Sequence, residues 1–277
     1  MLPVIKKLLA ALLLCSAISA VPCVAQEPGY GGLDSLLVRY YALLQGNAPE
    51  DIAAECDWLI SSCKDSLSRR HVATEIFNHY KEAPVMGEEE VAIRVYDKWF
   101  KDGTVRFKGE FDDMDAKLFV DFNRNSLIGM KAPGIALFKP SGKKVTVPRE
   151  GRATVLFFYD TSCSKCRLEA AVLPSILKEV DFPLDFCAVY FGSDRKAWRK
   201  FRRSFRIGGR NVEVLHFQDP EISSNYQRLY GVISTPKMFL VEPGGLIMGR
   251  RLEPESLKQL LPLCRDLVDL YTKTAEK

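Results

Sequence analysis

Two cysteines separated by two residues are the part of this sequence whose types and spacing most directly indicate chemistry. Cys163 and Cys166 enclose Ser164 and Lys165, and thiols one helical turn apart can close a small disulfide ring. Such a pair is typical of thiol–disulfide exchange, in which one thiolate attacks and the other resolves. A structural disulfide or half of a zinc site would use the same spacing. Zinc usually takes four ligands, commonly as two such pairs, and the sequence has no second C-x-x-C, so we expect no metal.

The sequence around the pair predicts a strand, a turn and a helix, with Cys163 at the start of the helix. Val155–Tyr159 is a short apolar run rich in aromatic residues, which predicts a buried strand. Turn and cap formers follow at 160–162, and a helical apolar pattern comes after Cys166. The pattern consists of Leu168, Ala171, Val172, Leu173, Ile176 and Leu177.

A helix start favours a thiolate on Cys163, because the free N–H groups and the helix dipole stabilise negative charge there. The dipole alone lowers a pKa by about one unit. A larger shift would need a hydrogen bond from Cys166 and the field of the Lys165 ammonium. Lys165 is therefore a candidate for tuning the pKa of Cys163.

Further motifs occur in a fixed order around the pair. They are Gly129-Met-Lys-Ala-Pro133, the hairpin pattern Phe138–Val145 with its turn at Ser141-Gly142, the segment Tyr230–Pro236, the apolar run Met238–Val241, and Gly244-Gly245. Together with the cysteine pair they resemble the TlpA/ResA class of thioredoxin-fold thiol-disulfide oxidoreductases, over residues 129 to about 265. This bacterial class works outside the cytoplasm, and its members commonly act as reductants recharged by a membrane thiol donor.

The resemblance implies a substrate-binding segment at Thr235 and Pro236. It implies a cis peptide bond between them, with the Thr235 backbone pairing with the substrate chain as an added strand would. Two positions depart from the pattern. Ser162 stands where the family usually has Trp, and Phe157 stands where thioredoxin has a buried Asp. The proton acceptor for Cys166 is therefore unidentified from the sequence.

The fold class that we expect for residues 129–277 is an α/β thioredoxin-like fold, a mixed central sheet flanked by helices. Strands alternate with helices along this part, which predicts crossover units around a sheet. The predicted elements after the redox helix are Leu184–Phe191, a basic helix, Val212–Phe217, helix Ile222–Tyr230, Lys237–Glu242, Leu246–Arg251 and helix Pro254–Leu270.

Residues 1–25 have the pattern of a secretory signal: Lys6 and Lys7, the apolar run Leu8–Leu14, and small residues ending at Ala25. The run is too short to span a bilayer. We therefore expect cleavage near Ala25, a periplasmic protein and no stable membrane insertion. Loss of the two lysines lowers the formal net charge from +4 to +2.

Residues 26–128 are predicted to form an all-α domain that precedes the thioredoxin-like domain. The predicted helices are Leu33–Leu44, Asp51–Ser62, Leu67–Tyr80, Glu88–Phe100 and one near Asp112–Phe122. The region resembles helical segments that precede thioredoxin domains in some exported bacterial proteins. Its role is not indicated by its residues.

The remaining features favour no cofactor. The three histidines lack metal-ligand spacing, and Cys56, Cys63, Cys187 and Cys264 are interpreted as buried free thiols. The run from Arg195 to Arg210 interleaves basic and aromatic residues at helical spacing. A solvated basic face is the expected role, docking of an acidic partner is the alternative, and nucleic acid is not expected in an exported protein.

The sequence thus predicts an exported thiol–disulfide oxidoreductase acting on proteins with cysteines. A peroxiredoxin-type peroxidase is disfavoured, because its P-x-x-x-[ST]-x-x-C pattern meets Leu156 and Asp160 here. The alternative is a binding protein in which the helical domain holds a partner and the thioredoxin fold is a scaffold.

Overall fold

The computed structural model describes residues 29–207 and 210–275, so the signal predicted over residues 1–25 lies outside the described residues. The chain divides into two compact units, Met1–Leu43 and Leu44–Lys277. Helix α1 (Gly31–Leu44) makes up nearly all of the described part of the first unit. In the described part of the chain, none of the helices combines the length and apolarity needed to cross a bilayer.

The second unit begins with helices close to those predicted. They are α2 (Pro49–Ser62), α3 (Ser66–Lys81), α4 (Glu89–Val95) and α5 (Glu110–Asn123). The predicted helix Glu88–Phe100 instead changes after Val95 into a π-helical turn, Tyr96–Phe100, closed by the Lys101 N–H on the Tyr96 carbonyl at 3.0 Å. This wider turn stacks Phe100 on Phe107, with ring centroids 4.1 Å apart.

A five-stranded sheet forms the centre of the C-terminal part. Its strands are β3 (Ala153–Tyr159), β4 (Leu184–Tyr190), β5 (Val212–Gln218), β6 (Lys237–Val241) and β7 (Ile247–Gly249). The order is β5-β4-β3-β6-β7, with β3, β4 and β5 parallel and β6 and β7 antiparallel to their neighbours. The predicted thioredoxin-like mixed sheet is therefore confirmed. The opening hairpin, β1 (Ile135–Phe138) with β2 (Lys144–Val147), is a separate two-stranded sheet.

Both faces of the sheet are covered, because every residue of β3 and β4 is buried. On one face lie α6 (Ser164–Lys178), α7 (Arg195–Ser204) and α9 (Pro254–Ala275), and on the other lie the hairpin and α8 (Tyr226–Tyr230). Alternate residues of β3 serve the two cores: Phe157 packs with Leu173 of α6, and Phe158 packs with Tyr230 of α8.

Helix α8 is shorter than predicted, since it begins at Tyr226 instead of Ile222. Ile222 and Asn225 have φ values of 55° and 57°, in the left-handed region that interrupts a helix. The Asp219 carboxylate accepts hydrogen bonds from the backbone N–H groups of Ser223 and Ser224. This carboxylate-centred turn satisfies the N–H groups that a helix would otherwise use.

A buried ion pair joins the helical part to the sheet. Glu89 of α4 lies 3.1 Å from Nε of Arg250 and 3.0 Å from Nη2 of Arg251, just after β7. Arg250 also donates from Nη2 to Asn123 Oδ1 at 2.6 Å. Its backbone N–H donates a hydrogen bond to Sδ of Met86. Glu89 and Arg250 are each 1% exposed. The boundary between residues 128 and 129 stays a prediction.

Removal of the Glu89 carboxylate should destabilise the fold strongly, because it leaves the Arg250 charge buried without its anion. For Glu89→Ala we expect the free energy of unfolding to fall by about 3–5 kcal/mol. The neighbouring Glu90→Ala, which removes the more exposed ion pair with Arg94, should cost at most about 1 kcal/mol. Urea denaturation of both variants measures the difference, and equal losses would contradict a structural role for the buried pair.

Candidate redox site

The turn between β3 and α6 positions Cys163 at the helix start. Asp160 accepts a hydrogen bond from the N–H of Ser162 at 2.7 Å, which fixes the turn that follows the strand. Cys163 is the N-cap residue of α6, with extended φ and ψ of −72° and 120°. Its sulfur accepts the backbone N–H of Cys166 at 3.1 Å. A sulfur thus takes the place of the oxygen that usually caps a helix.

The segment before β6 meets the same sulfur. The Thr235 carbonyl oxygen lies 3.5 Å from Sγ of Cys163, and the Thr235–Pro236 peptide bond is cis. The structure therefore brings Cys163, Cys166, Thr235 and Pro236 to one place. The roles of Thr235 and Pro236 in substrate binding stay predictions.

The two thiols differ in exposure and acidity. Cys163 is half-buried, whereas Cys166 is 1% exposed. Burial acts against ionisation of Cys163, but hydrogen bonds from the Cys166 thiol and N–H outweigh it and lower the pKa of Cys163. Burial, assisted by the hydrogen bond to Cys163, raises the pKa of Cys166 to about 12. Only Cys163 is therefore suited to attack from solvent.

The Lys165 ammonium is held by carboxylates. Its Nζ lies 2.7 Å from Oε1 of Glu253 and 3.9 Å from Oε1 of Glu169. The hydrogen bond to Glu253, which is exposed like Lys165 itself, raises the pKa of Lys165. Its influence on Cys163 stays a prediction, and the hydrogen bonds that favour the thiolate come chiefly from Cys166.

Glu169 was missed by the sequence reasoning. It lies one helical turn after Cys166 and is only 6% exposed, and its Oε2 has no hydrogen-bond partner among the described residues. Burial raises its pKa to about 7, against the opposing effect of Lys165. A buried carboxyl group with a raised pKa therefore lies one helical turn from the buried thiol.

The apolar pattern predicted for this helix does not match its buried side in full. Leu168 and Val172, expected on the apolar side, are 70% and 49% exposed. The buried side instead runs through Cys166, Glu169 and Leu173, a spacing of three and four residues. A glutamate at such a position is unusual unless it has a partner or a function.

The other four cysteines of the described residues are free thiols. Cys56, Cys187 and Cys264 are buried as expected, and burial raises their pKa values. Cys63 is only half-buried, and its thiol faces the Leu59 carbonyl at 3.6 Å.

Residues 151–247, which include the cysteine pair, β3 to β6 and the start of β7, match a family model described as thioredoxin-like. This part of the chain has a thioredoxin-like fold. The fold that the sequence predicted is thereby confirmed. A search of curated proteins found no match.

A solved structure shows the same fold over most of this chain. A thioredoxin-like protein from Bacteroides caccae aligns over 86% of this chain and 85% of its own, with 15% identity and a TM-score of 0.63. The thioredoxin domain of a thiol-disulfide oxidoreductase from Bacteroides vulgatus covers 49% of this chain and 96% of its own (19% identity, TM-score 0.43). A thiol:disulfide interchange protein from a Bacteroides species covers 50% and 90% (20% identity, TM-score 0.43).

The unequal thiols of the thioredoxin-like domain should alkylate in a fixed order. With limiting iodoacetamide at about pH 6.5, below the ordinary thiol range, we expect the label on Cys163, because its pKa is lowered and Cys166 is buried. Peptide mapping by mass spectrometry measures the distribution, with Cys163→Ser as the control. Preferential labelling of Cys166 would reverse the roles inferred for the two sulfurs.

Proposed function

We propose that this protein is an exported thiol–disulfide oxidoreductase that exchanges disulfides with other proteins through Cys163 and Cys166. The observation that carries the proposal is the asymmetry of the pair: a helix-capping, accessible sulfur with a lowered pKa beside a buried thiol with a raised one. That combination suits a nucleophile and a resolving group.

The reaction is a two-step exchange. The Cys163 thiolate attacks one sulfur of the partner's disulfide, so that bond breaks, a mixed disulfide forms and the released partner sulfur takes up a proton. Cys166 then loses its proton and attacks Sγ of Cys163, which releases the second partner thiol. The partner gains two electrons, and the Cys163–Cys166 pair becomes a disulfide.

The second step needs a base, because a thiol with a pKa near 12 is almost entirely protonated at neutral pH. Glu169 meets the requirement by position and acidity: it lies one turn further along α6, and its pKa is about 7. Its Oε2 lacks another hydrogen-bond partner among the described residues. We assign Glu169 as the proton acceptor for Cys166 in this proposal.

The direction and place of action are part of the proposal. The predicted signal over residues 1–25 supports export to the periplasm, where disulfides form. The resemblance to the TlpA/ResA class favours a reductant recharged by a membrane thiol donor. The dipeptide Ser164-Lys165 does not set the direction, which follows from the reduction potential of the pair measured against glutathione.

Removal of the resolving thiol should trap partners. Cys166→Ser is expected to accumulate mixed disulfides through Cys163, because the second step cannot occur. Cys163→Ser should capture none. Non-reducing electrophoresis of alkylated cell extracts detects the adducts, and insulin reduction with dithiothreitol measures turnover. Equal capture by both variants would contradict the stepwise mechanism, and absence of insulin reduction by the unaltered protein would favour the scaffold interpretation.

Loss of the Glu169 carboxyl should slow resolution. Glu169→Gln is expected to lower the rate at which the mixed disulfide is resolved by about 100-fold at neutral pH, the size typical of a lost general base. Rapid-quench measurement of the isolated mixed disulfide follows this step alone. Glu179→Gln, at the exposed end of the same helix, is the matched control and should leave the rate unchanged.

Glu169 also predicts how stability varies with pH. Its folded pKa is raised from 4.5 to about 7, so the folded state holds the proton more tightly than the unfolded state. The resulting stabilisation is complete below about pH 4.5 and is lost as the pH rises through about 7. Urea denaturation of Glu169→Gln should lack this decline, and an unchanged pH profile would show that Glu169 does not titrate as inferred.

A further inference from the structure

A cavity of about 900 Å³ adjoins the redox pair between α6 and α7. At the end near the pair, Thr161, Ser162 and Arg167 form its edge, and buried Cys166 contributes to its wall. The apolar and aromatic part of the lining consists of Ala170, Ala171, Pro174, Tyr159, Phe201 and Phe205. Tyr159 and Phe201 stack with ring centroids 4.2 Å apart, so they form one aromatic surface of the lining.

A row of positive charge continues from this cavity. Lys196, Arg199, Lys200 and Arg203 of α7 line a shallower groove of about 560 Å³, and no carboxylate is among its lining residues. We call these four residues the basic strip. Lys200 belongs to both the groove and the cavity. Within the described ranges, 29–207 and 210–275, none of the four forms an ion pair.

The acidic residues of the cavity are already engaged. Asp160 accepts hydrogen bonds from Ser162. Asp194 caps α7 and accepts from the N–H groups of Lys196 and Ala197 at 2.8 and 3.0 Å. These carboxylates stabilise local turns, and among the described residues neither forms an ion pair with the basic strip.

The apolar face of α7 is buried, and this favours an acidic polypeptide over a lipid surface as the anion. Trp198 and Phe205 are 8% and 4% exposed, because they pack into the core beneath the helix. A helix that lies on a bilayer inserts apolar side chains into the lipid, whereas the exposed residues of α7 are five basic residues and Ser204, beside a concave cavity. A polypeptide that carries carboxylates and an apolar side chain fits both features.

We infer that the cavity and the basic strip form a docking site for an acidic segment of the partner protein. Carboxylates of the segment lie along the basic strip, and an aromatic or large apolar side chain fills the cavity. This inference deepens the proposed function, because a segment held there adjoins the partner disulfide at Cys163. The protein thereby favours partners whose cysteines are flanked by acidic sequence, and complementary charge accelerates their encounter.

Binding can be tested without any redox step. The probe is a fluorescent peptide of glutamates and one phenylalanine, without cysteine, titrated by anisotropy against the unaltered protein. We expect Lys196→Glu/Lys200→Glu to bind it about 10-fold more weakly, through charge reversal at the site. The matched control, Lys258→Glu/Lys273→Glu on exposed positions of α9, should bind as the unaltered protein does. Far-UV circular dichroism verifies that both variants are folded.

A second pair of variants tests the cavity. Ala171 is exposed and lines it, so Ala171→Trp should fill it and remove the advantage of the phenylalanine peptide over a serine peptide. Val172→Trp, one residue along and not in the lining, should retain that advantage. Equal loss from both pairs of charge reversals, or equal effects of both tryptophans, overturns the inference.

Two further outcomes separate this inference from its alternatives. If the strip variant loses binding to phosphatidylglycerol vesicles while its peptide affinity is unchanged, the surface binds lipid and the inference is wrong. If the peptide binds as expected but insulin is not reduced, the docking site stands and the proposed enzyme activity fails. If insulin is reduced but the acidic peptide binds no better than a lysine peptide, the docking site fails alone.

Discussion

The hydrogen bond from the Cys166 N–H to the Cys163 sulfur determines how the site is organised. Cys163 is the N-cap of α6, and Cys166 lies inside the first turn. The two thiols differ in exposure and acidity for this reason, because Cys163 gains hydrogen-bond donors and Cys166 loses contact with solvent. The buried strand β3 and the turn that Asp160 stabilises precede Cys163 and position it at the start of α6.

Much of this arrangement is predictable from local sequence. An aromatic apolar run, a turn and a C-x-x-C before a helical pattern predict the strand, the helix start and the order of the thiols. The alternation of strands and helices predicts the mixed sheet. These features depend on residues that are close together in the chain, so their spacing can be seen in the sequence itself.

Two of the features that the sequence did not predict depend on residues far apart in the chain, and a third depends on a side chain that competes for backbone N–H groups. The buried side of α6 is determined by the sheet and α9, so Leu168 was expected to be buried and Glu169 was not recognised as a buried residue. The late start of the helix predicted at Ile222–Tyr230 follows from Asp219, whose carboxylate accepts hydrogen bonds from the N–H groups of Ser223 and Ser224. The hydrogen-bond partner of Lys165, Glu253, directly precedes α9 and is 88 residues away along the chain.

The buried ion pair at Glu89 has a consequence for dissecting the molecule. A fragment that begins at residue 129 contains all seven described strands, yet it lacks the Glu89 carboxylate beside Arg250 and Arg251 and the amide of Asn123. It would carry uncompensated guanidinium charge on a surface that is dry in the longer chain. The electrostatic environment at the end of β7 would therefore differ between such a fragment and the intact protein.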